Sequence, residues 1–155
     1  MMQPNAKYTI DMDCLAAFFR EDGSYNKKIF PSLWTKIENM FKDGTIISHR
    51  EVFNEIKQGN DELVAWAKDN RDAFKEYDLE NETEIIRQIG NIEAKFTDQK
   101  KETVHADPWL IAQAKVNNLT LITQEGHNGI PRICKLVKVD CVNLIGFLKK
   151  EKIVT

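Results

Sequence analysis

The sequence predicts an α/β protein, with a three-layer α/β/α arrangement around a central, mainly parallel sheet of four to five strands and a helical hairpin inserted into it. Three observations carry this expectation. Short runs rich in β-formers recur as "KYTID", "TIIS", "LTLIT" and "LVKVD", each about the length of one strand. Most are separated by segments whose apolar residues return at helical spacing. Strands joined through helices become parallel neighbours, because a parallel pair needs a crossover connection, and the crossovers cover both faces of the sheet.

Taken in order, "KYTID" is the first strand and "CLAAFFRE" the first helix, which "DGSYN" breaks. "PSLWTKIENMFKDG" opens with proline, places Leu33, Trp34, Ile37, Met40 and Phe41 at helical spacing and closes on glycine. "TIIS" follows as a second strand, then "REVFNEIK" as a helix. From Asn60 to about Thr97 the chain reads as wholly helical: "NDELVAWAKDNRDAFKEY" and "NETEIIRQIGNIEAKF" each begin with an asparagine able to cap a first turn. This is the predicted hairpin. "TDQKKETVHA" is a polar connection into the helix "DPWLIAQAKVNN", after which come the strands "LTLIT" and "LVKVD" and a closing helix, "NLIGFLKKEK".

The chain has 155 residues, enough for one domain with a substantial core, so residues 1–155 are read as a single domain. Hydrophobic residues at 42% and charged residues at 30% match a globular protein and exclude a disordered or fibrous one. No apolar run approaches the roughly 20 residues that span a bilayer, and the N-terminus lacks a signal-peptide pattern. A cytoplasmic protein with no membrane association is the expectation. Cys14, Cys134 and Cys141 form no disulfide framework and read as buried small hydrophobes. The absence of CxxC or HxxxH spacing disfavours zinc.

A net charge of −2 gives no overall field for nucleic acid. Its distribution is uneven: residues 51–102 carry 14 acids against 8 bases, residues 132–155 carry 6 bases against 2 acids. The acidic block reads as solvated helix faces.

Ligands of open parallel sheets bind beyond the carboxyl ends of the strands. Asp11 and Asp13 stand at that end of the first strand, and Glu125 just past "LIT", two residues after Thr123. On the helix around Val52, Phe53 and Ile56, successive side chains turn by about 100°, which puts Glu55 at the border of the buried stripe and Glu51 on the solvent side. Asp107 precedes Pro108 at the start of a strongly apolar helix, where an ordinary N-cap is the simpler role; Asp11 or Asp13 can likewise cap the helix near Cys14. Capping does not account for Asp11, Glu55, Asp107 and Glu125 all falling at element boundaries. Carboxylates gathered in one region repel, and persist as anions when cations neutralise them. Hard ions such as Mg²⁺ or Mn²⁺ suit an all-oxygen donor set.

The motifs "YTIDMDCL", "IISHREVFNEI", "ADPWLIAQAK" and "LITQEG", in this order and across most of the chain, resemble those of the PIN-domain ribonucleases, in particular the small single-domain proteins of bacteria and archaea. The resemblance implies a PIN-like fold and a metal-dependent endoribonuclease. Asp11, Glu55, Asp107 and Glu125 become its acidic quartet, with Asp11 and Asp107 as first ligands of Mg²⁺ or Mn²⁺. The fourth position, usually aspartate in a Thr-x-Asp turn, is Glu125 here, one methylene longer. Asp13 stands where the family often has asparagine and is an accessory ligand. Thr123 is a hydrogen-bond donor to a carboxylate or to the scissile phosphate. Phosphodiester hydrolysis then needs no side-chain nucleophile, since metal ions activate water and neutralise the phosphate.

An acidic rim requires positive charge at its margins to hold RNA. Arg132, Lys135 and Lys138 are the candidate phosphate contacts, His127 in "EGHNG" a candidate substrate contact, and Lys149, Lys150 and Lys152 either further contacts or solubilising surface. Trp34, Trp66 and Trp109 read as core. Small members of the family are often toxins of toxin–antitoxin pairs and often dimers, which implies an antitoxin protein partner and a homodimer. Two other readings stand beside this one: a catalytically inactive PIN-like protein- or RNA-binding module, and a haloacid-dehalogenase-like phosphatase. The latter also begins with Asp-x-Asp after an apolar strand, but no paired-acid turn follows "LIT".

Overall fold

A computed structural model describes residues 6–20, 25–58, 61–92, 106–124 and 129–153. Five parallel strands form one sheet: β1 (Tyr8–Ile10), β2 (Ile46–His49), β3 (Phe74–Lys75), β4 (Thr120–Ile122) and β5 (Cys141–Val142), in the order β3-β2-β1-β4-β5. Helices α1 (Met12–Ala17), α2 (Pro31–Lys42), α3 (Arg50–Ile56), α4 (Glu62–Asp69), α5 (Leu79–Ile92), α6 (Asp107–Asn117), α7 (Ile130–Val137) and α8 (Leu144–Lys150) flank it. The result is a three-layer α/β/α fold.

The central strands are buried on both faces, as in any sheet covered by crossover helices: Tyr8, Ile10, Ile46, Ile47, Leu121 and Ile122 are all nearly inaccessible. Tyr8 pairs with Ile46 on one side and Thr120 on the other, so β1 is the centre of the ladder. The chain runs outward from β1 to β2 and β3, then returns to β1's other side for β4 and β5. The strand order therefore reverses between β1 and β4, and a crevice opens beyond their carboxyl ends.

α6 lies against this centre with residues Leu110 to Ala114 all buried. Each fully buried Leu or Ile contributes roughly 1.5–3 kcal/mol. Gln113 is the polar exception. Its amide nitrogen donates to the carbonyls of Ser48 and Lys75 at 3.2 and 3.3 Å, and its oxygen accepts from the Thr9 hydroxyl. Ser48 in turn donates to the Ile10 carbonyl at 2.6 Å. Thr9 and Ser48, polar residues within buried strands, are thereby satisfied, and α6 is pinned to three strands.

Three expectations need correction. The middle segment is not wholly helical and makes no hairpin: α4 ends at Asp69, a single 3-10 turn follows at Arg71–Ala73, and Phe74–Lys75 become β3 beside β2. Burial of Phe74, whose ring lies 5.4 Å from Phe53 and 6.4 Å from Trp66, draws this stretch into the sheet. The helix caps also shift. Asp61 caps α4, accepting from Val64 N–H at 3.2 Å, while Asn60 lies outside the described residues, and Asp78 accepts from Asn81 N–H at 3.1 Å. The last strand is displaced as well. Leu136 and Val137 finish α7, and Lys138 adopts a left-handed cap (φ 62°) before Cys141 starts β5.

The expected tryptophan role holds for Trp34 and Trp66, whose rings meet at 5.5 Å within a cluster that includes Phe19 and Phe41. Among the described residues, no helix is long and apolar enough to cross a membrane.

Candidate active site

Asp11 is the first residue past β1 and Thr123 the first past β4. The ladder continues through both: Asp11 N–H donates to the Ile122 carbonyl at 3.1 Å, and Thr123 N–H to that of Val142 at 2.9 Å. Their side chains meet at the switch point, where the Thr123 hydroxyl donates to Asp11 Oδ2. Asp11 Oδ1 accepts from Cys14 N–H at 2.9 Å, so Asp11 does cap α1. The Cys14 thiol donates to the same carboxylate, and burial holds that thiol well above the ordinary cysteine range. Capping and site geometry are thus two uses of one residue.

Glu55 comes from the last turn of α3. Its start is fixed by His49, whose ring Nδ1 accepts from Glu51 N–H at 3.0 Å. Glu55 is half-buried, as its place at the stripe border predicts, and its Oε2 accepts from Ala106 N–H at 3.3 Å. That contact joins α3 to the start of α6, 51 residues away in sequence. The α6 cap position falls on Ala106, which makes no side-chain cap bond, so Asp107 is a first-turn residue and not the N-cap.

Asp11, Asp13, Glu55 and Asp107, with Met12, Ala106 and Leu110, line one cleft of about 240 Å³. Lys, Arg and His are absent from these described lining residues. Burial pushes Asp11 up to about 6 against the hydrogen bonds from Thr123 and Cys14, and the charges of Asp13 and Asp107 push it further. Burial likewise pushes Glu55 up to about 7, opposed by the Ala106 N–H and reinforced by Asp107, Asp13 and Asp11. Both groups register the same cause: anions close together in a site of low polarity.

Beside this cleft, and sharing Met12 and Glu55 with it, a second depression of about 280 Å³ runs over Ala16 and Phe19 to Arg20 and Asp61. Two larger depressions of about 510 Å³ each flank β3, but lysine, arginine and acidic side chains alternate in both. The carboxylate cleft is smaller and of a single sign.

Three of the four predicted acids therefore come together, with Asp13 as a fourth wall. Glu125 and His127 lie outside the described residues. Among the described residues, no group of three or more His, Cys, Asp or Glu side chains is placed to hold a metal ion as it stands. The acids line the walls, and Glu55 turns one oxygen to Ala106.

The basic candidates divide by topology. α7 leaves the rim after β4 and returns to the opposite end of the sheet, where β5 begins, a distance of about 12 Å over eight residues. Arg132 is therefore near the rim, Lys135 about one turn further away and Lys138 at the far end. Lys149 and Lys150 close α8 at that far end too, with Lys150 Nζ 5.8 Å from the ring of Tyr8, at the start of β1. Lys152 follows them.

Sequence reasoning missed the contributions of Gln113, Cys14 and His49. Gln113 leaves one signal, a lone amide in an otherwise apolar helix. His49 Nε2 lies 2.7 Å from Glu82 Oε1, and both side chains are fully buried. Because Nδ1 accepts from Glu51 N–H, Nε2 carries the proton and donates it to Glu82.

In comparisons with known proteins, the model of a family described as a domain of unknown function, DUF4411, matches residues 8–155. Among curated proteins, none matches this chain.

Proposed function

This chain belongs to the DUF4411 family, and we propose that it is a metal-dependent endoribonuclease of PIN-like type, hydrolysing phosphodiester bonds in RNA at the carboxylate cleft. One observation carries the reading: four carboxylates, one just past the end of β1 and the others from α1, α3 and α6, line a single cleft at the sheet's switch point, without a basic group among its described lining residues. All-oxygen, acidic donors fit a hard divalent cation.

Asp11 and Asp107 would hold the ion, with Asp13 at the exposed mouth and Glu55 and Glu125 completing the donor set. A bound Mg²⁺ or Mn²⁺ supplies activation of water and neutralisation of phosphodiester charge. The chain's own residues do the rest. Thr123 and Cys14 N–H orient the Asp11 carboxylate. Ala106 N–H fixes Glu55 Oε2 and leaves Oε1 to accept the proton of the attacking water. The neighbouring depression gives a polymeric substrate room beyond the cleft, with Arg20 to meet a phosphate there; Arg132 serves the other side. The biological setting this implies is the toxin of a toxin–antitoxin pair, with an antitoxin protein covering the cleft.

The test is direct. Purified protein incubated with single-stranded RNA should cleave it with Mn²⁺ and not with chelator, and Asp107→Ala should be inactive. Absence of cleavage with Mn²⁺ or Mg²⁺, or equal cleavage by the variant, contradicts the proposal.

A further inference from the structure

The depression of about 280 Å³ beside the carboxylate cleft combines apolar and charged walls. Phe19, Ile56 and Leu63 are apolar: Ile56 and Leu63 are buried, and the Phe19 ring is held in place by Trp34 at 5.1 Å and Trp66 at 6.0 Å. Arg20 and Asp61 are charged. Met12 and Glu55 belong to depression and cleft alike, so a group seated in the first lies next to a phosphate held in the second. We infer that the depression seats an unpaired guanine of the RNA strand, beside the scissile phosphate, and that Asp61 is the residue that selects it.

The inference rests on the nuclease reading and names the base that this site prefers. An apolar wall containing an aromatic ring suits the face of any base, so discrimination comes from the edge. Asp61 caps α4: its Oδ1 accepts from Val64 N–H at 3.2 Å, which fixes the carboxylate at the margin of the depression. That bond uses one lone pair of Oδ1 and leaves its other lone pair, together with Oδ2, for a ligand.

A carboxylate accepts and does not donate, so it selects adjacent N–H donors. Guanine presents two side by side on its pairing edge, N1–H and the N2 amino group, and can meet both oxygens at once. Adenine and cytosine present one amino group next to a ring-nitrogen acceptor, and uracil presents one N–H between two carbonyls. In those bases a lone pair faces the negative charge. Because the edge that reads Asp61 is the edge used in base pairing, only an unpaired guanine can offer it. Arg20, whose backbone N–H donates to the Ala16 carbonyl at 3.1 Å, stands in the same depression to meet the adjoining phosphate.

Two measurements on the whole protein test this. Single-stranded oligouridylates carrying one guanine, inosine, adenine or cytosine are incubated with Mn²⁺, and the cleaved bonds are mapped. Cleavage beside guanine should exceed that beside adenine, cytosine or uracil by about 5- to 150-fold, the worth of one bidentate pair. Inosine, which lacks the N2 amino group, should fall between. Asp61→Asn keeps an acceptor for the α4 cap and should abolish the preference. Equal cleavage beside all bases, or a guanine preference that survives in Asp61→Asn, would overturn the subsite and leave the nuclease reading standing. The second measurement needs neither metal nor cleavage: guanosine is titrated into ¹⁵N-labelled protein and the amide resonances of residues 61–64 are followed. Guanosine should shift them saturably, adenosine should not, and Asp61→Asn should lose the response. With no RNA cleavage at all the nuclease reading fails, and this titration decides the subsite alone: selective shifts uphold it, and shifts that are absent or alike for both nucleosides overturn it.

Discussion

Thr123 and Asp11, 112 residues apart in sequence, meet at the carboxyl ends of two adjacent parallel strands, and the threonine hydroxyl holds one oxygen of the aspartate. Asp11 is 3% exposed and Thr123 2%, so water does not replace this bond if it is lost.

Thr123→Val keeps the shape and removes the donor. The bond lowers the Asp11 pKa, so its loss should push that carboxyl further up. The low-pH limb of RNA cleavage should then move to higher pH, and urea unfolding should show a loss of about 1–3 kcal/mol. Thr123→Ser should restore both. A pH profile unchanged in Thr123→Val would show that the hydroxyl does not orient the carboxylate.

The cleft also sets how stability varies with pH. Asp11 binds its proton more tightly when folded, at about 6, than at its ordinary value of 3.8. The folded state therefore holds more protons across that window, and stability present below about pH 4 is lost as pH rises through 6. The loss is about 3 kcal/mol. Glu55 extends the window toward 7 in the same direction, with a smaller effect because it is half-buried and solvent screens it. Denaturation of metal-free protein between pH 4.5 and 7.5 should follow this fall, and Asp11→Asn should flatten it. Mn²⁺ at about 100 times its Kd should restore about 2.7 kcal/mol at pH 7 and little at pH 4.5, where protons compete. Metal-free stability that rises equally across this window in wild-type and Asp11→Asn proteins would contradict the account.

Glu82 is buried with Oε1 on His49, and among the described residues its Oε2 has no hydrogen-bond partner. His49→Leu removes the donor to Glu82 Oε1 together with the α3 cap, and should cost about 2–5 kcal/mol. Glu82→Gln keeps an acceptor for Nε2–H and should cost far less. The double variant His49→Leu/Glu82→Leu should recover much of the single loss. A double-mutant cycle by urea unfolding checks this, and additive losses would mean that the pair is not coupled.

The parts of the fold that were legible in the sequence are those with enough residues to show a period. α2, α3, α6 and α8 fall within a residue or two of their expected bounds, and the apolar runs of β1, β2 and β4 announce three central strands. β3 and β5 are two residues each, too short for alternation to register, and only tertiary burial of Phe74 and the turn at Lys138 define them. The site was legible where a carboxylate follows a strand or borders a helix stripe, as with Asp11 and Glu55. It was illegible where its support comes from distant chain: Ala106 N–H on Glu55 and Glu82 on His49. Nothing local in "IISH" or "NETE" marks partners 33 residues apart.

Direct titration of Mn²⁺, followed by the loss of the free ion's electron paramagnetic resonance signal, tests the central claim most closely. Wild-type protein at pH 7 should bind Mn²⁺ saturably, and Asp11→Asn and Asp107→Asn should each weaken binding by at least about 10- to 100-fold, the loss seen when even an outer-sphere partner is removed. No saturable binding by the wild type, or equal binding by both variants, would contradict a cation site formed by these carboxylates.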